Sequence, residues 1–268
     1  METWLITGTS SGIGRLLTET LLRRGDRVAA TVRDRGKLGD LEAAYPDRLW
    51  VLTLDVRNAD DVRRTVDQAF NDLGRIDVVV NNAGYGLFGA AEELGDNDIE
   101  QLVATNLLGS MHVVRAALPH LRAQGGGRIV QISSEGGQTT YPGFAAYHAT
   151  KWGIEGFIEA VASEVAPFGI RCSIVEFGPT ATNFGASLVQ AEALPAYAET
   201  PVGALRRSFA SGTSFTVRED PHRVVEEILA RLESNALRLV IGGSAFDRVQ
   251  AALGRRLAEL SQQESRGR

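Results

Sequence analysis

Residues 4–15 read WLITGTSSGIGR, and this stretch decides the fold. Its apolar start predicts a buried strand, and its glycines predict a tight turn that leads into a helix. Two interpretations of the turn compete. Gly8-Thr9-Ser10-Ser11-Gly12 matches G-x-S-x-G, the nucleophile elbow of a serine hydrolase, while the same residues with Gly14 match G-x-x-x-G-x-G, a dinucleotide-binding turn.

The position of the turn favours the dinucleotide interpretation. A nucleophile elbow needs an oxyanion donor from a loop on an earlier strand, and here the turn follows the first strand that the sequence predicts. The histidines lie in helix-like segments, at His112, His120, His148 and His222. A helix that begins near Ile13 instead points its amino end at a phosphate. A glycine-rich turn without a ligand stays open as the alternative.

Composition limits the classes of function. The chain has 268 residues, of which 44% are hydrophobic, and a formal net charge of −5. This charge gives no basic field for nucleic acid or anionic lipid, and no apolar run reaches the length of a membrane span. Cys172 is the single cysteine and lies in a strand-like run, so we expect it to be buried in a reducing compartment. We therefore expect a soluble, cytoplasmic protein without nucleic-acid or membrane partners.

Strand-like and helix-like segments alternate along the chain. The predicted helices cover residues 16–23, 62–73, 99–121, 146–165 and 224–232. The predicted strands are TWLIT (3–7), DRVAATV (26–32), LWVLTLDV (49–56), IDVVVNNAG (76–84), GRIVQISS (127–134), IRCSIVEFG (170–178) and RLVIGG (238–243). This order predicts an α/β fold: a doubly wound (Rossmann) parallel sheet of about seven strands, with helices on both faces, in a single domain over residues 1–268.

Residues 183–216 break the alternation and contain helix-like pieces without a predicted strand. Because they follow the carboxyl end of a strand, they would lie over the crevice where such sheets bind ligands. We interpret them as a candidate substrate lid, with a surface helical pair as the alternative. Residues 261–268, SQQESRGR, are expected to form a frayed tail.

A tyrosine and a lysine stand four residues apart at Tyr147 and Lys151, hence on one face of a helix. The chain has only two lysines, Lys37 and Lys151, among 28 basic residues, so a lysine at this place indicates a specific use of a compact ammonium group. Ser134 lies thirteen residues before the tyrosine, at the end of a predicted strand. Its neighbour Ser133 competes for the same role, because adjacent strand residues point to opposite faces.

These residues resemble the motifs of the classical short-chain dehydrogenases/reductases, over residues 3–243. The motifs are Thr7-Gly8-x-x-x-Gly12-Ile13-Gly14, Asp55, Asn81-Asn82-Ala83-Gly84, Asn106, Ser134, Tyr147-x-x-x-Lys151 and Gly178-Pro179-x-x-Thr182. The sequence is somewhat similar to the steroid and retinoid dehydrogenase branch. The resemblance implies hydride transfer between a nicotinamide and a carbonyl or secondary alcohol, no metal, and a homodimer or homotetramer.

The resemblance also implies catalytic roles. Tyr147 would be the general acid/base, and Ser134, which the family spacing selects over Ser133, would bind the substrate oxygen. A Lys151 cation about 5 Å away would favour the phenolate of Tyr147 by roughly 3 kcal/mol, or about two pKa units. Lys151 would also hold the nicotinamide ribose, and Asn106 would hold a water that links Lys151 to solvent. His148 is expected to be a packing or interface residue.

For the cofactor, the end of the second predicted strand favours NADP over NAD. NAD-preferring relatives carry an aspartate where this chain has Val32, and Arg33 follows it. Asp34 would weaken the charge of Arg33, and Ser11 stands where many NADP-specific relatives have a second basic residue. The predicted cofactor-binding residues are Gly8, Ser10, Ser11, Gly12, Ile13, Gly14, Arg33, Asp55, Val56, Asn82, Ala83, Gly84, Tyr147, Lys151, Gly178, Pro179, Thr180 and Thr182.

The predicted substrate is a hydrophobic ketone, aldehyde or secondary alcohol, because apolar side chains cluster near the strand ends and in the candidate lid. The predicted lining residues are Tyr85, Tyr141, Phe184 and Leu188, with further lid candidates at Leu194, Tyr197, Phe209 and Phe215. The same aromatics could serve packing alone. A dinucleotide-sensing regulator without turnover is the alternative function, which the complete Asn106, Ser134, Tyr147 and Lys151 set disfavours.

Overall fold

The computed structural model describes residues 1–182, 184–185, 187–212 and 219–266. Its main sheet has seven parallel strands in the order β3-β2-β1-β4-β6-β7-β9. The strands are β1 (Thr3–Thr7), β2 (Arg27–Val32), β3 (Leu49–Thr53), β4 (Val78–Asn81), β5 (Leu87–Phe88), β6 (Gly127–Ile132), β7 (Ile170–Phe177), β8 (Val189–Gln190) and β9 (Arg238–Ile241). The predicted doubly wound fold is confirmed, with β5 and β8 as a separate small sheet.

Helices cover both faces of the main sheet. They are α1 (Gly12–Arg24), α2 (Gly39–Ala44), α3 (Ala59–Leu73), α4 (Asp96–Val103), α5 (Ser110–Ala123), α6 (Ala145–Val165), α7 (Pro201–Ala210), α8 (Pro221–Arg231) and α9 (Gly243–Arg266). One apolar core lies under α1 and α8, with Leu21 and Ile228 fully buried. The opposite core lies under α3, α5 and α6, with Val113 and Ile158 fully buried. Burial on both faces explains why the strands are continuous apolar runs.

Local signals fix the ends of the helices next to the sheet. Asn58 caps α3 by accepting hydrogen bonds from the backbone N–H groups of Asp60 and Asp61. The negative charges of these two side chains also stabilise the helix, because they lie at the positive amino end of its dipole. At the other end of a helix, Gly25 follows α1 with a φ of +92°, and its N–H bonds back to the carbonyls of Leu21 and Leu22. Each helix therefore returns the chain to the next strand.

Several elements differ from the sequence-based prediction, including α2 and β5, which were not predicted. The predicted helix over 99–121 is α4 and α5 joined by a π-helical segment, Ala104–Gly109. Residues 183–216 were predicted to have no strand, but β8 pairs in parallel with β5. The long helix α9 was not predicted and continues through Arg266, well into the stretch expected to fray.

The strand order reverses direction between β1 and β4, since β1 leads to β2 and β3 on one side and β4 leads to β6 on the other. In a doubly wound sheet, ligands bind outside the carboxyl ends of the strands at this reversal. A cleft of about 990 Å³ lies at that edge. It is lined mainly by the loops that follow the strands, and Phe209 of α7 also contributes to its lining. The fold thus places the predicted motifs around one cavity.

Candidate active site

The glycine-rich turn between β1 and α1 has the geometry of a phosphate cradle. Gly8 has a φ of +70°, and a Cβ there would lie 2.7 Å from the Cα of Ala83. A Cβ on Gly14 would lie 2.3 Å from Nδ2 of Asn82, so neither glycine can be replaced without movement. Ser11 precedes α1 and makes no side-chain cap, which leaves the first backbone N–H groups of α1 to an anion.

Asn82 holds this turn from the neighbouring strand. Its Nδ2 donates hydrogen bonds to the carbonyl oxygens of Thr7 and Gly8, both at 2.9 Å. The Oγ1 of Thr7 accepts hydrogen bonds from the backbone N–H groups of Asn82 and Ala83, at 3.0 and 3.1 Å. Asn82, Ala83 and Gly84 all line the cleft, and the amide of Asn82 is used to shape the turn.

Two arginines line the cleft beside Asp55. Arg33 is exposed there, while its neighbour Asp34 accepts a hydrogen bond from the backbone N–H of Gly36 at 3.0 Å. Arg57, which the sequence analysis missed, donates from Nε to both carboxylate oxygens of Asp55 at 3.0 Å. Arg57, and to a smaller degree Arg33, lower the pKa of Asp55. Arg33 therefore presents an exposed guanidinium at this end of the cleft, the basic end, while the charge of Arg57 is paired with Asp55.

Ser134, Tyr147 and Lys151 meet at the opposite end of the cofactor cleft. Ser134 begins the loop after β6, and its hydroxyl lies close enough to the Tyr147 phenol to act on its pKa. The Oγ of Ser134 accepts from the backbone N–H of Gly136 at 3.1 Å, which leaves its own O–H available to donate toward Tyr147. Lys151, one turn further along α6, has its Nζ 5.7 Å from the centre of the Tyr147 ring. The structure brings the predicted catalytic residues together here.

The acidity of this group differs from the prediction. Burial raises the pKa of Tyr147 to about 12, although the hydrogen bond from Ser134 acts in the opposite direction. Burial also lowers the pKa of Lys151 to about 8, because its ammonium is taken out of water. The expected lowering of the Tyr147 pKa by Lys151 is therefore wrong for the protein chain alone, where desolvation dominates.

The neighbouring serine has a different place. Ser133 is buried and its Oγ donates to Oε1 of Glu155 at 2.5 Å. Both serines line the cleft, and the choice of Ser134 for the substrate oxygen stays a prediction. His148 is also buried: its Nδ1 bonds the carbonyl oxygen of Gly136 and its Nε2 accepts from the N–H of Tyr141, both at 2.8 Å. It packs the loop against α6, as expected.

Asn106 lies in the π-helical segment and is 2% exposed. Its Oδ1 accepts from the backbone N–H of Tyr85 at 3.1 Å, and its Nδ2 donates to the carbonyl oxygen of Tyr85 at 2.9 Å. A weaker contact of 3.4 Å reaches Oγ1 of Thr150, next to Lys151. The side chain thus holds the loop after β4. Its predicted role in holding a water stays a prediction.

The segment after β7 closes the remaining side of the cleft. Gly178, Pro179, Thr180 and Thr182 all line it, as does Phe177, which stands where relatives often have proline. The backbone of Glu219 fixes this segment, since its N–H donates to Pro179 at 2.9 Å and its carbonyl accepts from the N–H of Ala181 at 3.0 Å. The substituted phenylalanine therefore leaves the predicted cofactor segment in place.

Aromatic and aliphatic side chains surround the reactive end. Phe184 stacks edge-on against Tyr147 with ring centres 6.0 Å apart, and Tyr147 meets Phe144 at 6.1 Å. The predicted residues Tyr141, Phe184 and Leu188 line the cleft, together with Phe209. Tyr85 lines it as well, but its phenol is within electrostatic range of Arg33 and Arg57 and so lies toward the basic end. Phe215 lies outside the described residues.

The candidate lid is attached at its far end. Glu93 has a fully buried side chain that pairs with Arg206 on α7 at 2.7 Å and accepts from the N–H of Leu194 at 2.9 Å. This environment lowers the pKa of Glu93 to about 2. The hydroxyl of Tyr197 donates to Glu92 at 2.8 Å. Leu194 and Tyr197 thus serve this attachment, and Phe184 and Leu188 face the cleft.

Sequence reasoning missed Glu135, Arg248 and Arg57. Arg57 stands two residues after Asp55, a predicted cofactor-binding residue, and a charge at that spacing is the signal that could have indicated it. Glu135 follows Ser134 directly, yet its burial against Arg248 on α9 depends on a contact between residues 113 positions apart. The available signal was the helical spacing of the small apolar residues Ala245, Val249 and Ala252, which predicts the helix that carries Arg248.

The cleft fits a nicotinamide dinucleotide. It combines a glycine cradle at a helix amino end, a basic end with Arg33, and the Tyr147 group opposite, in a volume that suits a large ligand. Fold and site together define a doubly wound NAD(P)-dependent oxidoreductase. The chain belongs to the short-chain dehydrogenase family, since the family model described as "short chain dehydrogenase" matches residues 2–193.

Two curated relatives show the breadth of the family around this chain. "Oxidoreductase BOA17" of Botryotinia fuckeliana (strain B05.10) is 36% identical over 247 residues, which cover 91% of this chain and 90% of that protein. Human "17-beta-hydroxysteroid dehydrogenase type 1" is 36% identical over 189 residues, which cover 67% of this chain and 57% of that protein. The similarity to the steroid dehydrogenase branch is confirmed.

Solved structures confirm the architecture. A short-chain dehydrogenase from Streptomyces avermitilis has a TM-score of 0.91 and 40% identity, covering 100% of this chain and 99% of that one. ElxO, solved with NADP bound, has a TM-score of 0.75 and 25% identity over 92% of this chain and 99% of its own. Relatives of this fold have thus been solved with a nicotinamide dinucleotide.

Neither a metal cluster nor a membrane span stands out in the described part of the chain. Across residues 1–182, 184–185, 187–212 and 219–266, no group of three or more potential metal ligands converges. Within the same ranges, each helix is too short or too polar to cross a bilayer.

Proposed function

We propose that this protein is an NADP(H)-dependent oxidoreductase that transfers hydride between the nicotinamide and a hydrophobic ketone, aldehyde or secondary alcohol. The observation that carries the proposal is the position of the Ser134 hydroxyl beside the Tyr147 phenol, with Lys151 one helical turn away, inside a cleft that begins at a glycine cradle. The presence of an acid, an oxygen donor and a buried cation favours an enzyme over a dinucleotide sensor, which needs none of them.

Each residue has a chemical task in this proposal. A bound nicotinamide supplies the hydride to the carbonyl carbon, or accepts it from the alcohol carbon. Tyr147 donates the proton to the substrate oxygen, and its high pKa keeps it protonated at neutral pH. Ser134 donates a hydrogen bond to the same oxygen as negative charge develops there.

Lys151 and Asn106 support this pair. One N–H of the Lys151 ammonium is used on the carbonyl oxygen of Ile132, and its remaining two donors would hold the hydroxyls of the nicotinamide ribose. Asn106 would hold the loop after β4 in a position that leaves room for the nicotinamide ribose and for a water that delivers the proton. The other cofactor contacts are those predicted from the sequence, and all of these residues but Gly14 line the cleft.

Preference for NADP rests on the basic end of the cleft. Arg33 would form charge-assisted hydrogen bonds with the 2′-phosphate. Arg57 lies in the loop after β3 on the same side of the cleft, where it is paired with Asp55. Asp34 caps the turn that follows β2 and so does not compete for Arg33.

The substrate class rests on the other end. Tyr141, Phe144 and Phe184 surround Tyr147 with apolar ring surface, which favours a large hydrophobic carbonyl compound over a sugar phosphate. The relative named for a hydroxysteroid supports the same class. The described residues 187–212 of the predicted lid would cover this substrate and are attached through Glu93 and Arg206. Residues 183, 186 and 213–216 of that prediction lie outside the described residues.

Self-association and a cytoplasmic location complete the proposal. Leu108 and Trp152 are 43% and 41% exposed on the helices next to Asn106 and Tyr147, where family members pair. A homodimer or homotetramer would cover them. Light scattering coupled to size-exclusion chromatography measures the state directly, and a monomer at micromolar concentration contradicts this part of the proposal.

Tyr147→Phe tests the proposed function. The substitution removes one oxygen, so the dissociation constant for NADPH, followed by nicotinamide fluorescence, should change less than twofold. Reduction of hydrophobic ketones should fall by about 10²–10⁴-fold, the usual contribution of a general acid. A wild-type protein that binds NADPH but turns over no ketone, aldehyde or alcohol supports the sensor instead. A protein that binds neither NADPH nor NADH contradicts the dinucleotide site altogether.

A further inference from the structure

The C-terminal helix α9 contributes to a buried ion pair beside the reactive serine. Nε of Arg248 donates to Oε2 of Glu135 at 2.8 Å, and Glu135 is only 2% exposed. Nη2 of Arg248 also donates to the hydroxyl of Ser244 at 3.3 Å, one turn earlier on α9. Because Glu135 follows Ser134 in the chain, this pair fixes the backbone that carries the Ser134 hydroxyl.

The ion pair holds two cleft loops at once. The hydroxyl of Tyr141 donates to Oε1 of Glu135 at 2.5 Å, which orients an aromatic ring of the substrate end. On the other side, a Cβ on Gly178 would lie 2.7 Å from Nη2 of Arg248 and 2.9 Å from Oε2 of Glu135. The predicted cofactor-binding segment that begins at Gly178 therefore packs directly against the pair.

A second link joins the same loop to the catalytic helix. Nε2 of His148 accepts the N–H of Tyr141, so its Nδ1 carries the proton that it donates to the carbonyl oxygen of Gly136. His148 is buried and stands next to Tyr147 on α6. The loop 134–141 is thus held from α6 on one side and from α9 on the other.

We propose that Arg248 is a positioning residue for the reaction. It pairs with the Glu135 carboxylate and thereby keeps the Ser134 hydroxyl in register with Tyr147. This inference rests on the proposed function. A buried carboxylate without its cation is costly, so loss of Arg248 would drive Glu135 to rotate toward water and pull the Ser134 loop with it.

Arg248 also has an electrostatic consequence. The charged groups that face the Tyr147 phenol are Lys151, Glu135 and Glu155, and the two carboxylates raise the pKa of Tyr147. Arg248 offsets the charge of Glu135. Its removal would therefore raise the pKa of Tyr147 further, and alcohol oxidation, which needs Tyr147 to give up its proton first, would require a higher pH.

The test compares four proteins: wild type, Arg248→Met, the double variant Glu135→Gln/Arg248→Met, and Arg255→Met as a control. Arg255 is exposed on the same helix.

For Arg248→Met we expect kcat to fall by about ten- to hundredfold, the scale of a small misplacement of a reacting group. The pH of half-maximal alcohol oxidation should also move upward. The double variant removes both charges, so it should return the pH profile to that of wild type and recover part of kcat.

The possible results distinguish failure of the positioning role from failure of the proposed function and from failure of a variant to fold. NADPH affinity, from fluorescence, should stay within threefold of wild type in every folded variant, as circular dichroism checks. If Arg248→Met lowers kcat without moving the pH profile, or if the double variant does not restore that profile, the positioning role is wrong. If Arg248→Met does not fold, the double variant alone decides, by having or lacking the wild-type profile. A wild-type enzyme without turnover overturns the proposed function instead.

Discussion

The ammonium group of Lys151 donates a hydrogen bond to the carbonyl oxygen of Ile132 at 3.0 Å, at the end of strand β6. The lysine is 8% exposed, and burial lowers its pKa from the ordinary value of 10.5 to about 8. A buried ammonium with one neutral partner is unfavourable for folding, which indicates that its place is kept for chemistry and not for stability.

Lys151→Met should therefore stabilise the protein while abolishing turnover. The lowered pKa corresponds to about 3 kcal/mol at pH 7, and the unpaired carbonyl of Ile132 would return about 1–3 kcal/mol of that. We expect the free energy of unfolding in urea to rise by about 0–2 kcal/mol. Lys37→Met, at the exposed second lysine, is the control and should change it little. A Lys151→Met protein less stable than Lys37→Met contradicts the interpretation.

The stability difference should also depend on pH, with a defined sign. Between the folded pKa of about 8 and the unfolded pKa near 10.5, the unfolded chain binds more protons at Lys151 than the folded chain does. Stability of the wild-type protein relative to Lys151→Met therefore rises with pH in this window. The difference in unfolding free energy between Lys151→Met and wild type should be largest below pH 8 and should decrease toward pH 10.5, as measured by urea unfolding at each pH. If this difference does not change with pH, the interpretation of Lys151 is wrong.

Arg33→Gln should weaken binding of NADPH but not of NADH. Charge-assisted bonds to a 2′-phosphate contribute about 1.5–3 kcal/mol, so the dissociation constant for NADPH should rise by about 10- to 100-fold. Arg35→Gln is the matched control, because Arg35 pairs with Glu42 and the carbonyl of Val51, outside the cleft lining. Equal losses of NADPH and NADH affinity in Arg33→Gln would mean that Arg33 has no part in cofactor choice.

Gly86→Ala should change the substrate end alone. A Cβ at Gly86 would lie 2.5 Å from Cδ1 of Leu188 and 2.8 Å from Cζ of Phe184, so both side chains must move. We expect KM for a large apolar ketone to rise several-fold, since overpacking of this size costs about 1–3 kcal/mol. NADPH affinity should be unchanged. Gly39→Ala, where an added Cβ has no neighbour within 4 Å, is the control, and an equal KM change in both variants rules out this contact as the cause.

Much of the site could be predicted from the sequence because its groups lie at strand ends. Ser134, Asn82 and Gly178 each follow a strand, and parallel strands bring their carboxyl ends to one edge. Tyr147 and Lys151 are four apart on one helix, so their proximity is local. The acidity of this pair could not be predicted in the same way, because the depth of burial, which raises the Tyr147 pKa, depends on the packing of Phe144 and Phe184 around it.

Local sequence by itself determined the alternation of strands and helices, the glycine cradle and the Tyr147–Lys151 pair, since each depends on periodicity or on the freedom of glycine at positive φ. Only the tertiary structure decided which buried charges are paired. Glu135 meets Arg248, and Glu93 meets Arg206, across separations of 113 residues each. The physical reason is that such pairs are set by which elements pack together, and no local pattern encodes that contact.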